Sequence, residues 1–195
     1  MNKSKYPVRK LAICGLARSG KDSAADYLVE KYEFTKFAFA DDMKRLLHDL
    51  FPAIPQIPKP RRAYQIFGEG LRNLDLPGAS DVWIDACLSK VNTHVWWHSE
   101  VDDRGANVVI TDLRLPTEYA RLKDEGFTII RVTASLAERV KRAEIAGDAF
   151  EMADLEHKTE SYVDGFDCEY DVENDGSLDD LKAKVDVIVA DLSKN

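Results

Sequence analysis

ICGLARSGKDSAADYL, residues Ile13 to Leu28, decides the fold. The apolar run Lys10–Cys14 reads as a strand ended by Gly15, and Lys21 to Tyr32 places Ala24, Ala25, Leu28 and Val29 on one side at helical spacing. Strand, glycine loop and helix are the context that a G-x-x-x-x-G-K-[ST] phosphate-binding loop requires. The backbone amides of Ala17, Arg18, Ser19, Gly20, Lys21 and Asp22 are placed to surround a phosphate at the helix N-terminus, with Lys21 reaching the outer phosphates. Gly15 and Gly20 permit the turn and the close approach. The departure from the motif is Asp22, which stands where a magnesium-holding hydroxyl is usual, with Ser23 one step later. A carboxylate is a hard oxygen ligand for magnesium, so Asp22 reads as a ligand of the metal or its waters and Ser23 as a substitute hydroxyl. The alternative is that Asp22 only favours the positive helix end, and that the loop is an ordinary turn with a solvent-facing lysine.

Working outward, FTKFAFA (residues 34 to 40) alternates like a strand and DDMKRLLHDLF follows as a helix. Prolines at 52, 55, 58 and 60 make PAIPQIPKP an extended connector to the helical run RRAYQIFGEGLRNL, with another helix from about Ala79 to Val91. NVVITD, residues 107 to 112, is a nearly continuous apolar strand of the kind covered on both faces of a parallel sheet. PTEYARLKDEG is a helix with Pro116 near its start and Gly126 at its stop; FTIIRVTA is a strand. SLAERVKRAEIAG is a helix capped by Ser135 with Glu138 three residues on. Residues 147 to 167 show no period, and CEYDVEN with SLDDLKAKVDVIVADL closes the chain as strand, turn and helix. Strands alternating with helices define an α/β fold with a mainly parallel sheet.

The totals narrow the function. The 195 residues, 45% hydrophobic, suit one compact domain. A formal net charge of −8 argues against a nucleic-acid polymer as partner, so a phosphate ligand must meet a local cluster of cations. No apolar run is long enough to span a membrane and the N-terminus lacks a secretory pattern, so the expectation is a soluble cytoplasmic protein, of a cell or of an infected host. Cys14, Cys87 and Cys168 are widely spaced and read as reduced, mostly buried thiols.

VVITDLRLPTE is the second chemical element. Asp112 at the end of a hydrophobic strand suits a residue that orients magnesium, and Arg114 and Glu118 lie just beyond, where open α/β sheets bind ligands. Arg114 reads as a bidentate phosphate clamp, or else as the partner of a surface carboxylate. His94 and His98 in HVWWHSEVDD, with Glu100 and Asp102, have metal-ligand spacing; the stronger reading is an irregular surface element with Trp83, Trp96 and Trp97 as packing residues.

Taken together, GLARSGKDSAADYL with its Gly-Lys-Asp, ITDLRLPTE, RRAYQIFGEGLR followed by Trp83, EHKTES and NDGSLDDL resemble, in order, the motifs of the bacteriophage deoxynucleoside monophosphate kinases of the P-loop kinase superfamily. The chain is shorter than those proteins between the second helix and Arg61. The resemblance implies a P-loop kinase fold with a five-stranded parallel sheet flanked by helices. It also implies ATP as donor on Gly15, Ala17, Arg18, Ser19, Gly20, Lys21, Asp22 and Ser23, with Mg2+ held by Asp22, Ser23 and Asp112. The acceptor (d)NMP is expected opposite, in a helical excursion at about 52–104, under a lid-like segment at about 139–167.

Residue by residue, the resemblance makes Arg61 a phosphate ligand, Gln65 a base contact, and Gly68 and Arg72 parts of the same acceptor helix. Arg114 contacts phosphate beside Glu118, His157 and Glu160 fold over the substrate, and Asn174 and Gly176 form a turn near the donor adenine. Arg139 and Arg142, at i and i+3, either cover the transferring phosphate or form a solvated helix face. The expected partners are small nucleotides, with monomer and homodimer both open. Rival readings are a P-loop kinase of another acceptor, such as dephospho-coenzyme A or a phosphomevalonate-like compound, and a non-kinase ATP-binding module.

Overall fold

The computed structural model describes residues 8–101, 105–146 and 162–194. Five strands, β1 (Arg9–Cys14), β2 (Thr35–Phe37), β3 (Asn107–Leu113), β4 (Thr128–Thr133) and β5 (Tyr170–Glu173), form one sheet in the order β2-β3-β1-β4-β5. Every pairing is parallel. The α-helices among the described residues are α1 (Lys21–Tyr32), α2 (Ala40–Leu50), α3 (Arg61–Arg72), α4 (Val82–Trp96), α5 (Pro116–Asp124), α6 (Leu136–Ile145) and α7 (Leu178–Leu192). None is long and apolar enough to cross a membrane.

The apolar runs become strands covered on both faces, as expected of a parallel sheet. Ala12, Val108, Ile110 and Ile129 meet Ile84, Cys87, Leu88 and Val91 of α4 and Leu122 of α5 on one face. Leu11, Ile13, Val109, Ile130 and Val132 meet Ala24, Ala25 and Leu28 of α1 and Leu181, Val185 and Ile188 of α7 on the other. Each fully buried Leu, Ile or Val contributes about 1.5–3 kcal/mol. Helix α3 sits apart from the sheet. Its one buried residue is Gly68, and it is fastened by Tyr64 Oη to His48 Nε2 (2.8 Å) and by Trp83 Nε1 donating to the Gly68 carbonyl (3.0 Å).

Three boundaries differ from the sequence reading. β2 stops at Phe37 because the amides of Phe39 and Ala40 donate to the Asp112 carboxylate (2.8 and 3.0 Å), which turns the chain into α2. A 3-10 turn at Ala79–Asp81 precedes α4, which runs past Val91 to Trp96. The stretch expected to be irregular is helical, continuing as a π-helix over Trp97–Val101. Trp83 is buried in the core, as expected, but Trp96 and Trp97 are half-exposed and do not pack inside; Val95, four residues after Val91, is the apolar residue that meets the core there.

Candidate active site

Strand order fixes the location. From β1 the chain moves to β2 and β3 on one side and then to β4 and β5 on the other, so the topological switch lies at the C-terminal end of β1. Open α/β sheets bind ligands at such a crevice. The segments carrying Gly15 to Ser23, Arg114 to Glu118, Arg139 and Asn174 all follow the C-terminal ends of their strands, and Asp112 is the penultimate residue of β3.

The loop between β1 and α1 is built for close approach. Gly15 and Gly20 take φ of 155° and 100°, and a Cβ on Gly20 would collide with the Asn174 amide while one on Gly15 would collide with the Val132 carbonyl. Arg18, not a glycine, is held at φ 63°, a left-handed conformation that costs about 1–3 kcal/mol and persists where surroundings over-determine it. The Ser19 amide closes a turn on the Leu16 carbonyl (3.1 Å). Helix α1 has no side-chain cap at Gly20, so its first turn keeps its positive end open to an anion. Lys21 is buried with its ammonium 3.3 Å from the exposed Asp22 carboxylate, so the reading of a solvent-facing lysine is not what is found. Ser19 Oγ is buried without a hydrogen-bond partner among the described residues, an arrangement that costs about 1–3 kcal/mol unless a ligand completes it.

The loop is gripped from behind. Arg139 Nε donates to the Ala17 carbonyl (2.7 Å), and Arg142 Nη1 to the carbonyls of Arg18 (3.4 Å) and Ser19 (3.3 Å). Arg142 Nη2 also donates to the Asn174 carbonyl (2.7 Å), and Asn174 Nδ2 to the Ser19 carbonyl (2.8 Å). Because a trans peptide sets N–H opposite C=O, drawing the Ser19 carbonyl outward turns the Gly20 amide inward. Arg139, 5% exposed, is thus no solvated helix face; it and Arg142 hold the loop's shape. Asn174 lies beneath the loop, and Gly176 leaves room for the capping box of Ser177 and Asp180 that opens α7.

At the end of β3 the register with β1 slips, with Ala12 opposite Ile110 but Cys14 opposite Leu113, which puts an irregularity at Thr111 and Asp112. Such bulges re-aim side chains. Both oxygens of Asp112 accept α2 amides, while burial pushes its carboxyl group above the usual range against the pull of those amides, Arg114 and Lys44. Glu118 Oε2 accepts from the amides of Arg114 and Leu115, both at 2.9 Å, closing the start of α5. Its other oxygen lies 3.6 Å from Arg72 Nη2, which brings α3 to the sheet crevice. Burial pushes the Glu118 carboxyl up to about 7.

Arg61, Gln65, Gly68 and Arg72 follow i, i+4, i+7 and i+11, one face of α3. Gly68 and Arg72 direct that face toward Met43, Trp83 and Glu118; Arg61 and Gln65 are its exposed continuation. His157, Glu160 and Asp102 lie outside the described residues. The His94 and His98 rings are 4.4 Å apart, but among the described residues no three His, Cys, Asp or Glu side chains group as metal ligands. A cavity of about 520 Å³ between β2 and α4, lined by Phe37, Lys90, His94 and Trp97 among others, shares no residue with the loop. The grip of α6 and Asn174 on the loop was not readable in the sequence. The Glu118 capping role was signalled by Pro116 at the helix start and a glutamate two residues later.

Parallel five-stranded sheet, glycine loop and flanking helices together define a P-loop kinase fold. An unliganded sugar kinase from Janibacter sp. HTCC2649 matches with TM-score 0.56 at 12% identity, over 94% of this chain and 95% of that one. Shikimate kinase from Acinetobacter baumannii, in complex with shikimate, matches with TM-score 0.56 at 14% identity, over 96% and 95%. Such likeness concerns the fold alone. More particularly, residues 9–70 match the deoxynucleotide monophosphate kinase family model, so the resemblance read from the motifs is found independently across the loop, α2 and most of α3. The uncharacterized protein ORF77 of Ictalurid herpesvirus 1 (strain Auburn) is 31% identical over 147 residues, 72% of this chain, which spans 59% of that relative's length.

Proposed function

We propose that the protein is an ATP- and magnesium-dependent kinase that phosphorylates a nucleoside monophosphate, in particular a deoxy one, to the diphosphate. The observation that carries this reading is the presence of two cationic elements beyond the C-terminal ends of β1 and β3. The Lys21 loop follows β1, and Arg72, 3.6 Å from the Glu118 carboxylate that accepts the Arg114 amide, comes to the segment that follows β3. Two anion-binding elements suit a donor and an acceptor, whereas a module that only binds ATP needs one. The match of residues 9–70 to the deoxynucleotide monophosphate kinase family supports a nucleotide acceptor over another small phosphorylated compound.

Phosphoryl transfer needs in-line placement and charge neutralisation rather than a covalent intermediate. The loop amides and the Lys21 ammonium hold the donor's β- and γ-phosphates. Arg72 and Arg114, with Arg61 and Gln65 on the outer part of α3, orient the acceptor. The donor set fits magnesium, because Asp22, Asp112 and the Ser23 hydroxyl are hard oxygens and this ion takes one or two carboxylates beside phosphates and waters. Held by these oxygens, magnesium would supply positive charge to offset that of the phosphates. Residues 52–104 form the acceptor-binding excursion in this reading, and residues 139–167 the lid.

A coupled assay with ATP, magnesium and each common NMP and dNMP in turn tests the proposal. ADP formation accelerated by at least one monophosphate, with the matching diphosphate as product, is expected. ATP hydrolysis that no monophosphate accelerates contradicts it.

A further inference from the structure

Cys14 ends β1, one residue before the phosphate loop, and its sulfur lies 3.9 Å from that of Cys168, a residue 154 positions later. Cys14 is fully buried and Cys168 half-buried, in the coil that leads into β5 and packs on the same core cluster. Beside them stands Arg131, the β4 register partner of Cys14. Its guanidinium is fixed by both carboxylate oxygens of Asp171 (2.5 and 3.0 Å) and by the carbonyls of Val163, Asp164 and Phe166 at 3.1 to 3.2 Å.

The two thiols are not equivalent. The hydrogen bond from Cys14 and the charge of Arg131 favour the Cys168 thiolate, against burial, Asp171 and Glu169. The Cys168 contact and burial keep Cys14 protonated. Cys87, the third thiol, is buried on the core-facing side of α4 and is pushed up to about 12 by burial.

We propose that Cys14 and Cys168 form a reversible, peroxide-responsive disulfide site, with Cys168 as the attacking thiolate and Cys14 as the resolving thiol. The Cys168 thiolate attacks one oxygen of hydrogen peroxide. An S–O bond forms, the O–O bond breaks, the sulfur is oxidised by two electrons to sulfenic acid and hydroxide leaves. Cys14 sulfur then attacks Cys168 sulfur. The S–S bond forms as the S–O bond breaks, and the departing hydroxide takes the Cys14 proton as water. Closure from 3.9 Å to a bond of about 2 Å falls on the coil around Cys168, because Cys14 is locked between β3 and β4. The bond ties the strand that carries the phosphate loop to the β5 connector.

The test treats reduced, reductant-free full chain with one equivalent of hydrogen peroxide, followed by intact mass and peptide mapping. Loss of two hydrogens, a linked peptide joining Cys14 to Cys168, and restoration by dithiothreitol are expected, with the same result in Cys87→Ala. Cys168→Ser is expected to remain unlinked, and Cys14→Ala to accumulate a dimedone-reactive sulfenic acid at Cys168. Should the buried Cys14→Ala variant fail to fold, the wild-type and Cys168→Ser results still decide. Unchanged thiols, a linkage through Cys87, or oxidation of Cys168 beyond sulfenic acid without a bridge overturns the proposal.

Discussion

In the proposed donor site Lys21 supplies the ammonium group of the loop. It is buried, yet its charged end meets Asp22 at the mouth of the helix rather than a partner deep in the core. Lys21→Ala is therefore expected to lower turnover about 100-fold or more while leaving the melting transition near that of the wild type, measured by the coupled assay and circular dichroism. Gly20 makes a different demand. Its φ of 100° and the adjacent Asn174 amide leave no place for a Cβ, so Gly20→Ala is expected to lose about 1–3 kcal/mol in denaturant unfolding. Adding Asn174→Ala removes the collision but not the φ penalty, so the double variant recovers only part, and a double-mutant cycle reads the coupling. Gly15, Gly20 and Lys21 were legible from spacing alone. The left-handed Arg18 and the orphaned Ser19 hydroxyl were not, because both depend on what grips the loop from α6 and β5.

Elements meet at the end of β3, where two carboxylates each serve a helix start. Asp112 accepts two α2 amides, so Asp112→Ala is expected to cost about 1–2 kcal/mol of stability; Asp112→Asn keeps an acceptor and costs less. If Asp112 also organises the metal, both variants lose activity alike, and a near-normal rate in Asp112→Asn would confine it to capping. Glu118 carries a pH signature. Its carboxyl is raised by burial from 4.5 to about 7. The folded state therefore binds this proton more tightly than the unfolded one, and the stability it confers is complete below about pH 4.5 and lost as pH rises through about 7. That is on the order of 3 kcal/mol between the two ends. Urea unfolding from pH 4.5 to 8 should show this decline in the wild type and lack it in Glu118→Gln; an equal slope in both contradicts the assignment. Strands and helices of this region were readable because the apolar periods are local. The shortened β2 was not, since it is set by a carboxylate more than seventy residues away from the amides it binds, nor was the register slip, which depends on pairing between β1 and a strand about a hundred residues later.

At the scale of the whole molecule, a net charge of −8 coexists with Lys21, Arg72, Arg114, Arg139 and Arg142 gathered at the C-terminal ends of the strands. The α/β class and parallel sheet followed from alternation of periods along the chain. The extension of α4 to Trp96 did not, because exposed tryptophans flank Val95, which alone continues the inward stripe beyond Val91. The central claim is that Gly15 to Ser23 wraps a nucleotide polyphosphate. Isothermal titration of ATP with magnesium into the folded wild type and into Lys21→Ala tests it most directly. A saturable one-site heat in the wild type, weakened about tenfold or more (~1.4 kcal/mol) in the variant, is the predicted result. No saturable heat in the wild type, or equal affinity in both proteins, contradicts the account.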